Sequence, residues 1–231
     1  LYVAQFAWIF MFWILTPLVA FTIAVLAGKF LKWPFISKWV RSKKAKPILA
    51  VLVVIMGVFE AFSAGMNNVA NAVGPLVGAD ILTTQSGIFW GGLFVAIGAV
   101  LLGRGVLETN GKKITELRIE EGCIISGTGA GLVMAASIFG IPVPLVQITT
   151  SSIIGIGFAK QGKAVLKKDI VIKLFAVWIV SPVLSMVLCF TLIQLLIEQN
   201  MYPIVVMAGL LISVFGVKYL MKKKPEETGE V

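Results

Sequence analysis

The stretch "SAGMNNVANAVGPLVGAD" (residues 63–80) places three asparagines within five positions of a chain that is 58% hydrophobic. Asparagine is costly to bury without partners, and its side chain competes with the backbone for the hydrogen bonds of a helix. Glycines stand at 65, 74 and 78, with Pro75 between them. Written on a helix, Asn67, Asn71, Gly74 and Gly78 share one face, and Asn68 lies about 100° away. Pro75 removes one donor from the ladder and crowds the carbonyl four residues back. Such a segment predicts a broken or re-entrant helix near the bilayer midplane, its loosened backbone facing protein or a wet cavity. Freed N–H groups at a helix start can receive an anion. The competing reading is helix glue, with Asn–Asn bonds of about 0.6–2 kcal/mol holding two membrane helices together.

The rest of the chain sets this stretch in a membrane. Only 13% of its 231 residues are charged, and the mean hydropathy is +0.98; soluble domains carry about 25% charged residues. No Lys or Arg occurs in 1–28, 47–103, 119–159 or 174–217. All twenty basic residues fall between those tracts, in Lys29–Lys46, Arg104–Arg118, Lys160–Lys173 and Lys218–Lys224. The net charge of +9 therefore reads as cytoplasmic loops under the positive-inside rule and not as a nucleic-acid surface. At about 20 residues per crossing, one segment in 1–28 and two in each later tract predict seven membrane segments. Trp33 and Trp39 among the lysines of 29–47 suit the headgroup zone of the cytoplasmic leaflet, with a specific lipid headgroup site as the alternative. The start, "LYVAQFAWIF", has no basic n-region and reads as a chain already under way, so a longer protein is expected. The last ten residues form a polar tail, expected to be disordered.

There is no histidine, and Cys123 and Cys189 lack metal-ligand spacing. Histidine triads and histidine metal sites are excluded, the cysteines read as packed small residues, and no catalytic set is visible.

A second polar tract, "GIPVPLVQITTSSIIGIG" (140–157), follows Pro142 and Pro144 with Gln147, Thr149, Thr150, Ser151 and Ser152. Membrane hydroxyls often bond back to the carbonyl four residues earlier; five polar residues in six positions also fit a hairpin tip facing a polar cavity. Two interrupted segments are what a secondary transporter uses to build its site. Glu60 is the one acidic residue in the apolar run before the asparagines. It reads as a coupling-ion ligand, a proton carrier or the partner of a lysine elsewhere. Arg104, Glu108 and Lys112 are spaced as a helix-surface ion ladder, and Asp80 as a cap for the turn that follows it.

With these residues in view, "GMNNVANAVGPLVG" resembles the signature of the inorganic phosphate transporter (PiT) family. "GRGVLETNGKKITEL" (103–117) resembles the segment that follows it in the family's second half, and 140–157 stands where the family has its proline-led hairpin. The similarity runs from about Ala45 to Leu196. It implies an all-α polytopic membrane protein, a secondary transporter built of inverted repeats with interrupted helices or re-entrant hairpins. Gly74–Pro75 matches the second-half copy of the signature. The implied organisation is 1–28 as the last helix of the preceding repeat, 29–46 as a basic cytoplasmic linker, 47–221 as the second transmembrane repeat and 222–231 as the tail. A multi-pass protein of the cell membrane follows, with the first-half repeat and membrane lipid as partners, and a homodimer as the alternative to a single copy.

The resemblance also implies an anion site: Asn67, Asn68 and Asn71 from the signature, and Gln147, Thr149, Thr150, Ser151 and Ser152 from the hairpin. Two departures bear on which anion. The signature's Asp is Asn68 here, and the hairpin's Ser-Thr-Thr-His is replaced by Pro144, Leu145, Val146 and Gln147. Phosphate at neutral pH donates a hydrogen bond, so a carboxylate suits it; sulfate only accepts, and a carboxylate would repel it. The pattern looks closest to the bacterial sulfate permease branch of the family. The expectation is a sulfate permease importing the oxyanion by proton- or sodium-coupled symport, with no cofactor and no resident metal. Glu60 and Asn68 are the candidates for handling the cation. Rival readings are a phosphate symporter, an anion channel or uniporter, and a structural membrane subunit; an enzyme is the weakest.

Overall fold

The computed structural model of the chain describes residues 3–108, 114–196, 198–202, 204–205 and 209. The expected all-α, multi-pass architecture is what these residues adopt. In chain order they form α1 (Val3–Phe30), the short α2 (Pro34–Val40), α3 (Ala45–Ala64), a π-helical turn (Gly65–Val69), α4 (Ala70–Gly78), α5 (Thr84–Glu108), α6 (Ile119–Ile138), α7 (Leu145–Gln161), a 3₁₀ segment (Gly162–Lys167) and α8 (Asp169–Leu196). Five helical runs are long and apolar enough to cross a membrane: Ala7–Phe30, Ala45–Gly78, Thr84–Gly105, Ile119–Ile138 and Asp169–Leu195. Of the seven expected segments, the fifth in chain order is the shorter α7, and the seventh, at 203–221, lies almost wholly outside the described residues, as does the tail.

Contacts between helices fix their directions. In α1 and α7, Ala20 shares a buried cluster with Ile148, and Phe21 and Ala24 lie against Gly155. Further along, Gly28 meets Ile156 and Ala159, so the two helices run parallel. Glycine at 155 is what lets them close: a Cβ there would lie 2.6 Å from the carbonyl oxygen of Phe21. In α3 and α6, Val53 meets Gly122, Met56 meets Gly127 and Ser63 bonds the carbonyl of Ala130, again parallel. Small residues at these crossings allow the close approach on which membrane helices depend.

Helices α6 and α7 form an antiparallel hairpin. It opens and closes at the end of the bundle that carries Arg118 and Lys160, and turns over at Phe139–Pro144. At the turn, Gly140 has φ +66°, its N–H bonds the carbonyl of Ser137, and the N–H of Ile141 bonds that of Ala136. This is a Schellman closure, which satisfies the helix's last carbonyls inside the protein. The same pattern ends α4 at Asp80 (φ 56°), with Asp80 N–H to Val77 and Ile81 N–H to Leu76. Asp80 thus closes the helix before it, while Thr83 caps α5 by accepting the N–H of Ser86.

The break expected at 65–80 takes a different form. Ala45–Gly78 is one continuous helical run, with a π turn at Gly65–Val69 and Pro75 inside α4. A π turn inserts an extra residue while keeping N–H groups paired, so it alters the helix face without exposing bare backbone to lipid. The chain instead turns back on itself at Phe139–Pro144, between α6 and α7.

The chain divides into two compact units, Leu1–Leu174 and Phe175–Val231. The helix of 1–28 thus falls within the same unit as α7, against which it packs. Unit one has its core around Ala24, Ile114, Ile125, Ile153, Ile154, Ile156, Val165 and Val171. In the second unit, Phe175 and Trp178 pack edge to face and Thr191 bonds back to the carbonyl of Val187. Large apolar side chains stand exposed along the helices, as in Val100, Leu101 and Leu102 of α5.

Candidate functional site

The π turn brings the asparagines to the hairpin tip. Asn67 is 4% exposed. Its Nδ2 donates to Ser137 Oγ and to the carbonyl of Ile141, each at 3.1 Å. Its Oδ1 accepts the N–H of Val143 and the Nδ2 of Asn71, each at 3.2 Å. An amide has two donors and two acceptor positions, so the capacity of Asn67 is fully used within the protein. Ser137 in turn donates to the carbonyl of Val133 at 2.8 Å. The Pro142–Val143–Pro144 link, which cannot pair its own proline nitrogens, is thereby held by one side chain of the long helix.

The other two asparagines are free to act outward. Asn71 is exposed and spends one N–H on Asn67. Asn68 is half-buried, and among the described residues its side chain makes no hydrogen bond. Pro75 has no N–H to give the carbonyl of Asn71, which leaves that oxygen without its helical donor. Helix α7 begins at Leu145, and its first internal bonds are those of Gln147 and Ile148 to the carbonyl of Pro144. The N–H groups of Leu145 and Val146 are the unpaired donors that any helix start presents.

The hairpin hydroxyls sort differently from one another. Gln147 is half-buried with an unbonded side chain. Thr149 Oγ1 donates to Glu60 Oε1 at 2.7 Å. Thr150 is 1% exposed and its Oγ1 has no partner. Ser151 is buried, and Ser152 bonds back to the carbonyl of Ile148 at 3.0 Å, the bland alternative for such residues. No side-chain bond joins the asparagines directly to Gln147 or to 149–152 among the described residues. Glu60 is half-buried and forms no ion pair among them, and no group of three acidic, Cys or His side chains there is placed to hold a metal.

Three further features escaped the sequence reading. Ser63, fully buried, donates to the carbonyls of Phe59 and Ala130 and so ties α3 to α6 beside Glu60. Gly129 lies against the Glu60 carboxylate, where a Cβ would come within 2.7 Å of Oε1. At the basic end, Glu121 is 1% exposed yet paired with two cations. Arg118 Nη2 and Lys160 Nζ both lie 3.0 Å from its carboxylate, and its Oε2 also caps the N–H of Arg118. The spacing R-I-E-E before an apolar run was the available signal for that cap; nothing in the sequence pairs it with Lys160.

Residues 2–189 match the phosphate transporter family. The chain belongs to that family. Among curated proteins, it is 49% identical over 220 residues to the sulfate permease CysP of Bacillus subtilis, which covers 95% of this chain and 62% of that protein. It is 35% identical over 149 residues to the putative phosphate permease TK2061 of Thermococcus kodakarensis, covering 59% of this chain and 36% of the relative. The chloroplastic inorganic phosphate transporter 2-1 of Arabidopsis thaliana is 31% identical over 147 residues, 58% of this chain and 25% of its own length. The chain thus spans less than two thirds of the curated relatives it matches. No solved structure matches it. The family's fold class and its multi-pass membrane setting agree with the five spans, and the relatives' names are those of permeases and transporters, not enzymes.

Proposed function

We propose that this chain is part of a sulfate permease that imports the oxyanion by cation-coupled symport with alternating access, proton or sodium being the coupled ion. The observation that carries the reading is the half-buried amide of Asn68, which bonds no described residue and directly follows Asn67, the residue bound to the hairpin tip; it stands where the family signature has a carboxylate. In this reading Asn68 and Asn71, with the first N–H groups of α7 and the side chain of Gln147, meet the anion. Asn67 positions the tip, and the hydroxyls of Thr150 and Ser151 line the route through the hairpin. Every group offered is a donor or a neutral dipole, which suits an anion that only accepts hydrogen bonds. The 49% identity to a protein named a sulfate permease supports the same choice.

Entry of a dianion against an inside-negative potential costs about 2.3 kcal/mol per charge per 100 mV, so two cations per sulfate are required to remove that cost. The complete site is expected to include a first-half repeat, and the protein to reside in the cell membrane. The test is uptake of labelled sulfate into proteoliposomes holding the complete transporter, with unlabelled phosphate, molybdate and thiosulfate as competitors. Sulfate displaced by thiosulfate or molybdate but weakly by phosphate is the expected result. Equal competition by phosphate would favour the second reading, a phosphate symporter, which the names of the other relatives support.

A further inference from the structure

We propose that the coupling ion is a proton, that Glu60 carries it, and that Thr149 and Gly129 make its protonation the latch between α3 and the α6–α7 hairpin. The inference rests on the symport reading above and adds the identity of the ion and the means by which it moves the helices.

The carboxylate of Glu60 sits within the 34-residue apolar run Ala45–Gly78, and among the described residues it forms no ion pair. A carboxylate in such a place is expensive to keep ionised, and a purely structural role gives no reason to retain it. Among the described residues its hydrogen-bond partner is the Thr149 hydroxyl, which donates to Oε1 at 2.7 Å. Gly129 supplies the room: the same oxygen occupies the space that a side chain at 129 would fill. The bond and the notch join α3 to both arms of the hairpin at one point.

The ligand set suits a proton better than sodium. A hard metal cation calls for several oxygen ligands at once. Here there is one carboxylate and one hydroxyl, and that hydroxyl's hydrogen points at the carboxylate. The other titratable or charged groups on the packed elements stand well away. Glu120, Glu121 and Cys123 of α6 lie at the end where Leu49 and Val53 meet it, and Lys160 of α7 is bound to Glu121 at that same end. Those contacts on α3 are two turns or more from Glu60, and none of these groups is placed to set its charge.

The proton balance is simple. A proton from external water forms an O–H bond at the Oε2 oxygen, and the side chain passes from −1 to neutral. The charge-assisted bond from Thr149 loses its ionic part, which is the stronger part of such a bond. The α3–hairpin contact loosens, the hairpin shifts, and the proton leaves to the inside, restoring the carboxylate and the bond. Sulfate is fully ionised at neutral pH, so protons that enter with it travel on the protein. Glu60 accounts for one proton per cycle.

The experiment uses the complete transporter in proteoliposomes loaded with a pH-sensitive dye, scoring labelled-sulfate exchange at equal pH and net uptake driven by an acid-outside gradient. The wild type is expected to acidify the lumen on sulfate addition, with no requirement for sodium. E60Q is expected to lower the ratio of gradient-driven uptake to exchange at least tenfold. T149V is expected to lower it severalfold, with T149S restoring it. Absence of sulfate exchange in the wild type would overturn the symport reading itself. Exchange accompanied by uptake that follows a sodium gradient and not a pH gradient would overturn the proton assignment alone. An E60Q protein with an unaltered ratio would overturn the role of Glu60, and if E60Q fails to fold, the wild-type acidification and the T149V–T149S pair decide the same question.

Discussion

The Oδ1 of Asn67 accepts the peptide N–H of Val143 at 3.2 Å, so the widened turn of the long membrane helix and the tip of the α6–α7 hairpin are one hydrogen-bonded unit. The glue reading of the asparagine cluster therefore fits Asn67, and the ligand reading is carried by Asn68 in the proposal above. Asn67 faces protein on every polar atom, while one position along, the amide of Asn68 bonds none of the described residues. A π turn is what separates them, since it changes the angle at which successive side chains leave the helix.

Substitution should separate the two roles. Asn67→Ala strands the N–H of Val143 and the carbonyl of Ile141, and leaving a buried polar group unsatisfied costs about 1–3 kcal/mol. A lower unfolding temperature in detergent is expected, with uptake falling in step with the folded fraction. Asn68→Ala removes no internal bond and should change stability by no more than about 0.5 kcal/mol. Sulfate uptake per folded molecule should nonetheless fall roughly tenfold, the equivalent of about 1.4 kcal/mol in transition-state binding. Equal loss of stability in both variants would return Asn68 to the packing role.

The seam between α1 and α7 makes a second prediction, about glycine. A methyl at Gly155 would press on the Phe21 carbonyl and on Ala24, which are backbone and a short side chain with little freedom to move. Overpacking of this kind costs about 1–3 kcal/mol. Gly155→Ala should lower the thermal midpoint of the purified protein, whereas Gly131→Ala, whose added methyl meets nothing within 4 Å, should leave it unchanged or raise it slightly. The comparison isolates close approach, because both glycines lie within membrane helices and gain equally in helix propensity.

Much of this was readable from the residues. The first three basic clusters marked helix ends and the links between them, the fourth lies outside the described residues, and proline-rich 140–144 marked the hairpin turn. The form of the interruption at 65–80 was less legible. Pro75 and three glycines look like a break, but the structure relieves the helix ten residues earlier, at Gly65–Val69, and carries Pro75 within α4. Whether a helix unwinds or widens depends on what faces it, and the partners of Asn67 come from residues 137–143, some 70 positions away in sequence. The link between Glu60 and Thr149 was hidden for the same reason: each was singled out separately, and only the hairpin's packing on α3 joins them.

Glu121 shows the limit of reading charge by position. It lies just after the second basic cluster, where a carboxylate would ordinarily be solvated, yet it is closed in by Arg118 and by Lys160 from the far arm of the hairpin. Removing one partner of a buried pair costs about 3–5 kcal/mol because it leaves the other charge uncompensated. Arg118 would still face the carboxylate after Lys160→Met, so a smaller loss of about 2 kcal/mol is expected from the same argument. Lys163→Met, at an exposed position three residues on, serves as the control for simple loss of a positive charge and should be close to neutral. If Glu121 and Lys160 hold the base of the hairpin together, the double variant Glu121→Gln, Lys160→Met should recover part of what Lys160→Met loses, because no buried charge is then left alone. Thermal unfolding of the three variants measures this, and additive losses in the double variant would mean that the two residues act separately.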